Sequence, residues 1–123
     1  MHILIVDDNK IARTTLRQMA SQVKDLTVCG ECASALEAFN FLRENPVDLL
    51  LLDIEMPRMD GFEVTNTLRH HTVYRDLPII MITSRTGEKH RERAFSLGVT
   101  HYMGKPFQEA DLLHHIEQIL AEA

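Results

Sequence analysis

ILIVDD, at residues 3–8, and LLLLD, at residues 49–53, share one pattern, and this pattern indicates the fold class. In each stretch four consecutive apolar residues end abruptly at a carboxylate. Short, continuous apolar runs bounded by polar residues are typical of strands that are buried on both faces. Such strands belong to parallel sheets covered by helices on both sides, so the sequence predicts an α/β domain.

The remainder of the chain alternates apolar runs with stretches of helical period. Five strands and five helices are predicted, which is the pattern of a doubly wound parallel sheet. The strands are expected at residues 3–6, 27–31, 49–52, 79–82 and 100–103. The second is short and comparatively polar, as an edge strand would be. Helices are expected at about residues 10–22 and 88–97, and near the C-terminus along an apolar stripe that runs from Leu112 to Leu120.

Two further helices are marked by their first residues. Ser34 is followed three residues later by Glu37, and Asp60 by Glu63. This spacing is the signature of a capping box, in which each side chain binds the other's backbone N–H. The first of these helices is expected to stop before Pro46.

Polar residues follow four of the predicted strands. They are Asp7 and Asp8, Asp53, Thr83, and Lys105. Since the carboxyl ends of parallel strands meet in one crevice, these side chains are expected to lie together. Three crowded acids repel one another unless a cation neutralises them, and hard oxygen ligands suit Mg²⁺. The sequence therefore predicts a Mg²⁺ site.

This set of residues suits phosphoryl chemistry. A carboxylate such as Asp53 can attack a phosphorus atom if the negative charge on the transferring group is compensated. Bound Mg²⁺ and the ammonium group of Lys105 would supply that compensation, and Thr83 would donate a hydrogen bond to a phosphoryl oxygen.

Four segments carry a resemblance to a known family: residues 6–9 (VDDN), Asp53 with residues 56–61 (MPRMDG), residues 83–84 (TS) and residues 102–107 (YMGKPF). With them the chain resembles, along essentially its whole length, the receiver domains of two-component response regulators. The resemblance implies a flavodoxin-like sheet with strand order 2-1-3-4-5.

It also implies site roles. Asp53 would accept a phosphoryl group from a phosphohistidine, and Lys105 would pair with that group. Asp8, Asp53 and the backbone carbonyl of Glu55 would bind Mg²⁺, with Asp7 contributing through water.

The resemblance further implies a switch pair, Thr83 and Tyr102, in which the ring turns inward when the hydroxyl moves toward the phosphoryl group. The Lys105–Pro106 peptide bond is expected to be cis. Glu55 and Arg85 each lie two residues beyond a site residue, and we expect them to face each other and to tune the lifetime of the phosphoryl group.

Length and charge bound the remaining expectations. The 123 residues are interpreted as one receiver domain, 1–123, with a net charge of -5 that argues against a direct nucleic-acid surface. No apolar stretch approaches a membrane span and no signal peptide is apparent, so a cytoplasmic protein is predicted. The expected partners are a sensor histidine kinase or phosphotransfer domain and a downstream output protein or fused output domain.

The competing hypothesis is an enzyme, an aspartate-nucleophile phosphohydrolase. That class typically places a second aspartate two positions after the nucleophile, where this chain has Glu55, and it encloses its substrate under a cap domain. We favour a signalling domain that catalyses only its own phosphorylation and dephosphorylation. Within the family, the first half resembles regulators with LytTR-type DNA-binding domains and the second half resembles receivers of chemotaxis-type hybrid histidine kinases, as an excised domain or a chimera would.

Two other motifs are interpreted as having no catalytic role. Cys29 and Cys32 have thioredoxin spacing but precede the helix start at Ser34. The adjacent pairs at residues 70–71 and 114–115 are histidines whose side chains point about 100° apart on a helix, so neither pair forms a metal site by itself. All four side chains are predicted to lie on solvated helix surfaces.

Overall fold

The computed structural model describes residues 1–122. Its elements are β1 (His2–Val6), α1 (Lys10–Ser21), β2 (Thr27–Cys32), α2 (Ala35–Glu44), β3 (Leu49–Leu52), α3 (Gly61–Arg69), β4 (Ile79–Thr83), α4 (Glu88–Leu97), β5 (His101–Gly104) and α5 (Glu109–Glu122). The strands form one parallel sheet in the order β2-β1-β3-β4-β5, which confirms the predicted fold class and strand order. β2 lies at an edge, as its polar composition predicted.

The sheet divides the apolar core into two layers. Alternate residues of each central strand face opposite layers, so Leu4 and Val6 of β1 pack with α2, α3 and α4, whereas Ile3 and Ile5 pack with α1 and α5. Because both faces are covered, β1, β3 and β4 need no polar face, which explains their uninterrupted apolar runs. Within residues 1–122, no helix combines the length and apolar character needed to cross a membrane.

The helix starts agree with the sequence signals, with one difference. Asp60 and Glu63 form the predicted capping box, each side chain binding the other's backbone N–H. At α2, Ser34 Oγ accepts from the Glu37 N–H at 3.2 Å, but the Glu37 carboxylate accepts from the N–H of Ala33, one residue before the cap. The reciprocal half of the predicted box is therefore shifted by one residue.

Six boundaries moved by a single residue. β1 begins at His2, β4 extends to Thr83 and β5 extends to Gly104. β2 extends to Cys32, α1 ends at Ser21, and β5 begins at His101 instead of Thr100. The last shift has a clear cause, because the Thr100 hydroxyl accepts a hydrogen bond from the Ile79 N–H at 3.0 Å and caps the start of the neighbouring strand.

Candidate functional site

The site lies at the carboxyl edge of the sheet, where β1 and β3 end side by side. Val6 pairs with Leu52 in the parallel ladder, so the next residues, Asp7 and Asp53, follow two adjacent strand ends. The Asp53 N–H donates to the Val6 carbonyl at 3.0 Å and continues the ladder by one step. Strand register, and not a flexible loop, therefore brings the two carboxylates together.

Asp8 joins them. One carboxylate oxygen from each of Asp7, Asp8 and Asp53 lies within 4.8 Å of the other two, which is the arrangement predicted for a divalent cation. The environments differ, since Asp7 and Asp53 are only 2 % and 7 % exposed whereas Asp8 lies in solvent. The cluster therefore has two buried carboxylates and one carboxylate that faces the cleft.

Burial and charge together perturb Asp53. Desolvation by burial is the main cause that raises the Asp53 pKa, and Asp7 and Asp8 act in the same direction. Lys105 and the Ile54 N–H oppose the shift, and the net result is a pKa raised from 3.8 to about 6. The raised pKa shows that Lys105 compensates only part of the negative charge at Asp53. The carboxylate oxygens are suitable ligands for a hard divalent cation such as Mg²⁺, and such an ion would neutralise the remaining negative charge.

Lys105 supplies the one cation within ion-pair distance of the two buried acids in the described part of the chain. Its Nζ donates to Asp7 Oδ2 at 2.8 Å and lies 3.8 Å from Asp53 Oδ2. The backbone N–H of Lys105 donates to the Thr83 carbonyl at 2.7 Å, and the Lys105–Pro106 peptide bond is cis. A four-residue strand far along the chain thus delivers the ammonium group to the acids.

Thr83 and Tyr102 are both buried and are connected through a single residue. The Thr83 hydroxyl oxygen accepts from the backbone N–H of Arg85 at 3.1 Å, and the Tyr102 hydroxyl donates to the carbonyl of the same residue. Tyr102 is 7 % exposed and packs within the core layer that contains α2, α3 and α4, so its ring is buried. The Arg85 carbonyl accepts a hydrogen bond from the Tyr102 hydroxyl, so the ring can be buried without leaving its hydroxyl unpaired.

Arg85 also makes a side-chain contact across the crevice. Its Nε lies 3.0 Å from Glu55 Oε1, and the two side chains are 41 % and 53 % exposed. Both residues line an open cleft of about 610 Å³ that Asp8 also borders. The pair therefore stands at the solvent-facing entrance to the acids.

Two further residues contribute to the site without a signal in the sequence. Arg13, one turn into α1, donates from Nη1 to the Asp7 carbonyl at 2.7 Å and lies 3.4 Å from a Glu31 carboxylate oxygen. Gly61, quoted above only as part of a family segment, is required sterically, because a Cβ there would lie 2.3 Å from the Asp53 carbonyl oxygen. Neither role has a local sequence signal, since each depends on a contact between separate segments.

The two cysteines show no sign of redox activation. Both lie on β2, and burial raises the pKa of Cys29 and raises that of Cys32 to about 11. The thiols are therefore protonated at neutral pH and are poor nucleophiles. The interpretation that they are not catalytic agrees with these environments.

The histidines differ in part from expectation. His70, His71 and His114 lie in solvent, as predicted. His115 is half-buried and contacts His101 of β5, because α5 packs with this side of its surface toward the strand. The interpretation of residues 114–115 as two solvated side chains was wrong for His115.

Comparison with known proteins places this geometry in a family. The family profile described as "Response regulator receiver domain" matches residues 3–117. The cyclic di-GMP phosphodiesterase response regulator RpfG of Xanthomonas campestris is 36 % identical over 98 % of this chain and 32 % of its own length. The heme response regulator HssR of Staphylococcus haemolyticus is 36 % identical over 96 % of this chain and 50 % of its own length.

Solved structures agree with these matches. A putative response regulator from Chloroflexus aurantiacus superposes with a TM-score of 0.90 at 29 % identity, covering 98 % of this chain and 97 % of that one. The chain spans about a third to a half of the length of the two curated relatives. The likeness of its two halves to different classes of regulator stays a prediction.

Proposed function

The chain belongs to the receiver domain family of two-component response regulators, which are phosphoacceptor signalling domains, and we propose that Asp53 is the residue that takes the phosphoryl group. The observation that carries this assignment is the environment of Asp53. It is a buried carboxylate at a strand end, with a lysine ammonium 3.8 Å away and two further carboxylates within 4.8 Å. The arrangement concentrates, around one nucleophilic oxygen, the groups that phosphoryl transfer requires.

In the proposed step an Asp53 oxygen forms a bond to the phosphorus atom of a phosphohistidine while the phosphorus–nitrogen bond breaks. The departing imidazole keeps the electron pair of that bond and takes a proton from water. Lys105 now pairs with Asp7 and approaches Asp53, so its Nζ can turn toward the new phosphoryl oxygens with little movement. Thr83 retains a hydroxyl proton that it can donate to a phosphoryl oxygen.

Receiver domains generally bind Mg²⁺, and the acid cluster fits that ion. We assign Asp8, Asp53 and the Glu55 backbone carbonyl as its ligands, with Asp7 contributing through water. When bound, Mg²⁺ would neutralise the acids and compensate charge on the transferring group. The protein's own contribution is to hold Asp7 and Asp53 in place through the β1–β3 register and the Arg13 contact.

The switch would operate through Arg85. The Thr83 hydroxyl accepts from the Arg85 N–H, and the Tyr102 hydroxyl donates to the Arg85 carbonyl. A movement of Thr83 toward a phosphoryl group would break the first of these bonds. The backbone of Arg85 could then move, and with it the carbonyl that holds the Tyr102 hydroxyl. Burial raises the Tyr102 pKa, so the hydroxyl stays protonated and able to donate. The domain would then have two states whose balance one added dianion changes.

The Glu55–Arg85 ion pair would set the lifetime of the phosphoryl group. The pair lines the open cleft that Asp8 also borders, and there it would obstruct a water molecule attacking in line with the phosphorus–oxygen bond. The exposed pair contributes little to stability, on the order of 0 to 1 kcal/mol. A similar free energy in the hydrolysis barrier would change the rate several-fold.

Partners are proposed at two levels. A sensor histidine kinase or phosphotransfer domain would donate the phosphoryl group, and a separate or fused output protein would read the switch. α4 exposes three basic side chains, Lys89, Arg91 and Arg93, whose charges would suit an acidic partner surface. Arg91 and Arg93 lie over the rings of Phe95 and Phe62 at 5.0 and 4.5 Å, so their charges are held in defined positions.

The enzyme alternative is not favoured. A phosphohydrolase would need a free general acid two residues after Asp53, and there the Glu55 carboxylate is paired with Arg85 at 3.0 Å. RpfG is named as a phosphodiesterase response regulator, and this chain matches only 32 % of it. The proposed activity of this chain is confined to gaining and losing its own phosphoryl group.

Intact-mass spectrometry after incubation with acetyl phosphate and Mg²⁺ tests the assignment. We expect the mass of one phosphoryl group on the wild-type protein, and none on Asp53→Asn or on wild-type protein without Mg²⁺. Asp76→Asn, at a side chain 93 % exposed, is the matched control and should be labelled like the wild type. Labelling of Asp53→Asn to the wild-type extent would exclude Asp53 as the acceptor, and sustained release of phosphate from a phosphomonoester would favour the enzyme.

A further inference from the structure

Two histidines from different elements meet beside β5, the edge strand of the sheet. The Nδ1 atoms of His101, on β5, and His115, on α5, lie 3.1 Å apart. The ring centroids are 4.5 Å apart and the planes are inclined by 47°, so the rings converge edge-on through these nitrogens and do not stack. The contact joins the last strand to the last helix.

The position of the pair is fixed by packing. Met103, two residues after His101, and Ile116, next to His115, are both buried in the core layer between the sheet and α5. Tyr102 belongs to the opposite layer. His101 and His115 are each half-buried, and His115 borders an open cavity of about 350 Å³ that also touches Asp111. The nitrogens are therefore held in place and still have a route to solvent.

The two nitrogens can share only one proton. If both Nδ1 atoms carried hydrogen, two donors would face each other at 3.1 Å with no acceptor between them. One nitrogen must therefore present a lone pair to the other. Half-burial of the rings also lowers the pKa of both histidines, in agreement with neutral imidazoles at neutral pH.

A metal ion can take the place of the shared proton. Two nitrogen ligands at about 2.0–2.1 Å from a tetrahedral zinc ion lie about 3.3 Å from each other, close to the separation observed here. We propose that His101 and His115 bind a divalent transition-metal ion such as Zn²⁺ through their Nδ1 atoms, and that the ion tethers α5 to β5. Imidazole nitrogens select such ions over Mg²⁺, which requires oxygen ligands.

The remaining coordination positions would be filled by water. Among residues 1–122, only the group Asp7, Asp8 and Asp53 brings three ligand side chains within 4.8 Å, so no carboxylate completes the histidine site in its present conformation. The charges of Asp111 and Glu122 act on the pair and would favour a bound cation, whereas the charge of Arg91 acts on His115 in the opposite direction. The site is thus a two-histidine chelate beside acidic groups.

Zinc titration of the whole chain in excess Mg²⁺ tests the proposal, since Mg²⁺ keeps the acid cluster occupied. By calorimetry we expect one high-affinity Zn²⁺, and we expect His101→Gln and His115→Gln each to weaken it by about tenfold or more. His114→Gln, adjacent on the same helix and solvent-exposed, is the matched control and should bind as the wild type does. Cys29→Ser controls for thiolate ligands and should also be unchanged.

A second measurement does not depend on the variants folding. In NMR spectra of the wild-type protein, Zn²⁺ should shift the imidazole signals of His101 and His115 before those of His70, His71 and His114. Wild-type affinity in both glutamine variants, or zinc-dependent shifts that leave His101 and His115 unaffected, would overturn the proposal and leave the pair as a hydrogen bond only. Equal loss of affinity in His114→Gln would also overturn it.

Discussion

The interior of the sheet and its carboxyl edge are almost equally buried and yet opposite in chemistry. Val6 and Leu52 are 0 % and 1 % exposed, and the residues that follow them, Asp7 and Asp53, are 2 % and 7 % exposed. One step along the same strands thus changes an apolar side chain into a carboxylate with little change in solvent access.

The apolar interior stabilises the fold, whereas the carboxylates at the edge of the sheet serve the function of the domain. An apolar side chain in the interior gains free energy from leaving water, whereas a buried carboxylate loses its hydration and must be compensated by charge. At the edge, Lys105 compensates only in part, and the pKa of Asp53 remains raised to about 6. The interior should therefore contribute stability and the edge should reduce it until a cation or a phosphoryl partner arrives.

The largest expected effect lies in the interior. Leu50→Ala removes a fully buried side chain at the middle of β3 and should lower the free energy of unfolding by about 2–5 kcal/mol. Denaturant unfolding followed by circular dichroism measures this loss. Leu36→Ala, at a side chain 65 % exposed on α2, is the control and should change stability little. Equal losses in the two variants would remove the contrast between buried and exposed apolar residues on which the comparison depends.

The next largest effect is expected at the edge of the sheet, where Asp8→Asn should abolish most of the stabilisation of the fold by bound Mg²⁺. Ligand at a hundred times its dissociation constant stabilises a fold by about 2.7 kcal/mol, and Asp8→Asn should remove most of that gain by deleting a direct ligand. Asp7→Asn should lose less, because Asp7 acts through water. Thermal unfolding at several Mg²⁺ concentrations and fixed ionic strength measures the gain, with Asp76→Asn as the control. Wild-type Mg²⁺ dependence in Asp8→Asn would mean that the cation binds elsewhere.

Asp53→Asn should have an effect opposite in sign to the interior substitution. Because burial and neighbouring acids raise the pKa of Asp53, its ionised form costs folding free energy above about pH 6. Without Mg²⁺ at pH 7.5, Asp53→Asn should therefore raise the free energy of unfolding, on the order of 1–3 kcal/mol. Denaturant unfolding in a chelating buffer is the measurement.

The pH dependence gives that prediction a second test. Between pH 3.8 and about 6 the folded wild-type protein binds more protons at Asp53 than the unfolded chain does, so this residue lowers stability as the pH rises through that window. The advantage of Asp53→Asn should accordingly fade as the pH falls toward 4. If Asp53→Asn is no more stable than the wild type at pH 7.5, or if its added stability grows as the pH falls, then the pKa of Asp53 is not raised in the folded protein.

The smallest effect is expected at the rim of the edge, where charges are solvated. Glu55→Ala and Arg85→Ala should each change stability by no more than about 1 kcal/mol, because both side chains are well exposed. Their effect should appear in the dephosphorylation rate of Asp53, with a coupling between them in the double-mutant cycle. Rates that combine additively would mean that the two residues act independently and do not form a gate.

The part of this molecule predicted from the sequence is the part that depends on local patterns. Four consecutive leucines before Asp53, and the run Ile3 to Val6 before Asp7, are patterns that only a sheet covered on both sides can bury. Once the strands are known to be parallel, their ends must converge, so the acid cluster follows from the sequence as directly as the fold does.

Contacts between side chains of separate elements depend on tertiary packing, because no local pattern connects the residues involved. The bond from Arg13 to the Asp7 carbonyl, the buried position of Tyr102 under Arg85 and the meeting of His101 with His115 join different elements. Periodicity indicates which face of an element turns inward, but a contact also requires the register, the packing of the helix on the sheet and the rotamer of each side chain. Strand register, helix packing and side-chain rotamers depend on one another, and they become fixed only when the whole core packs.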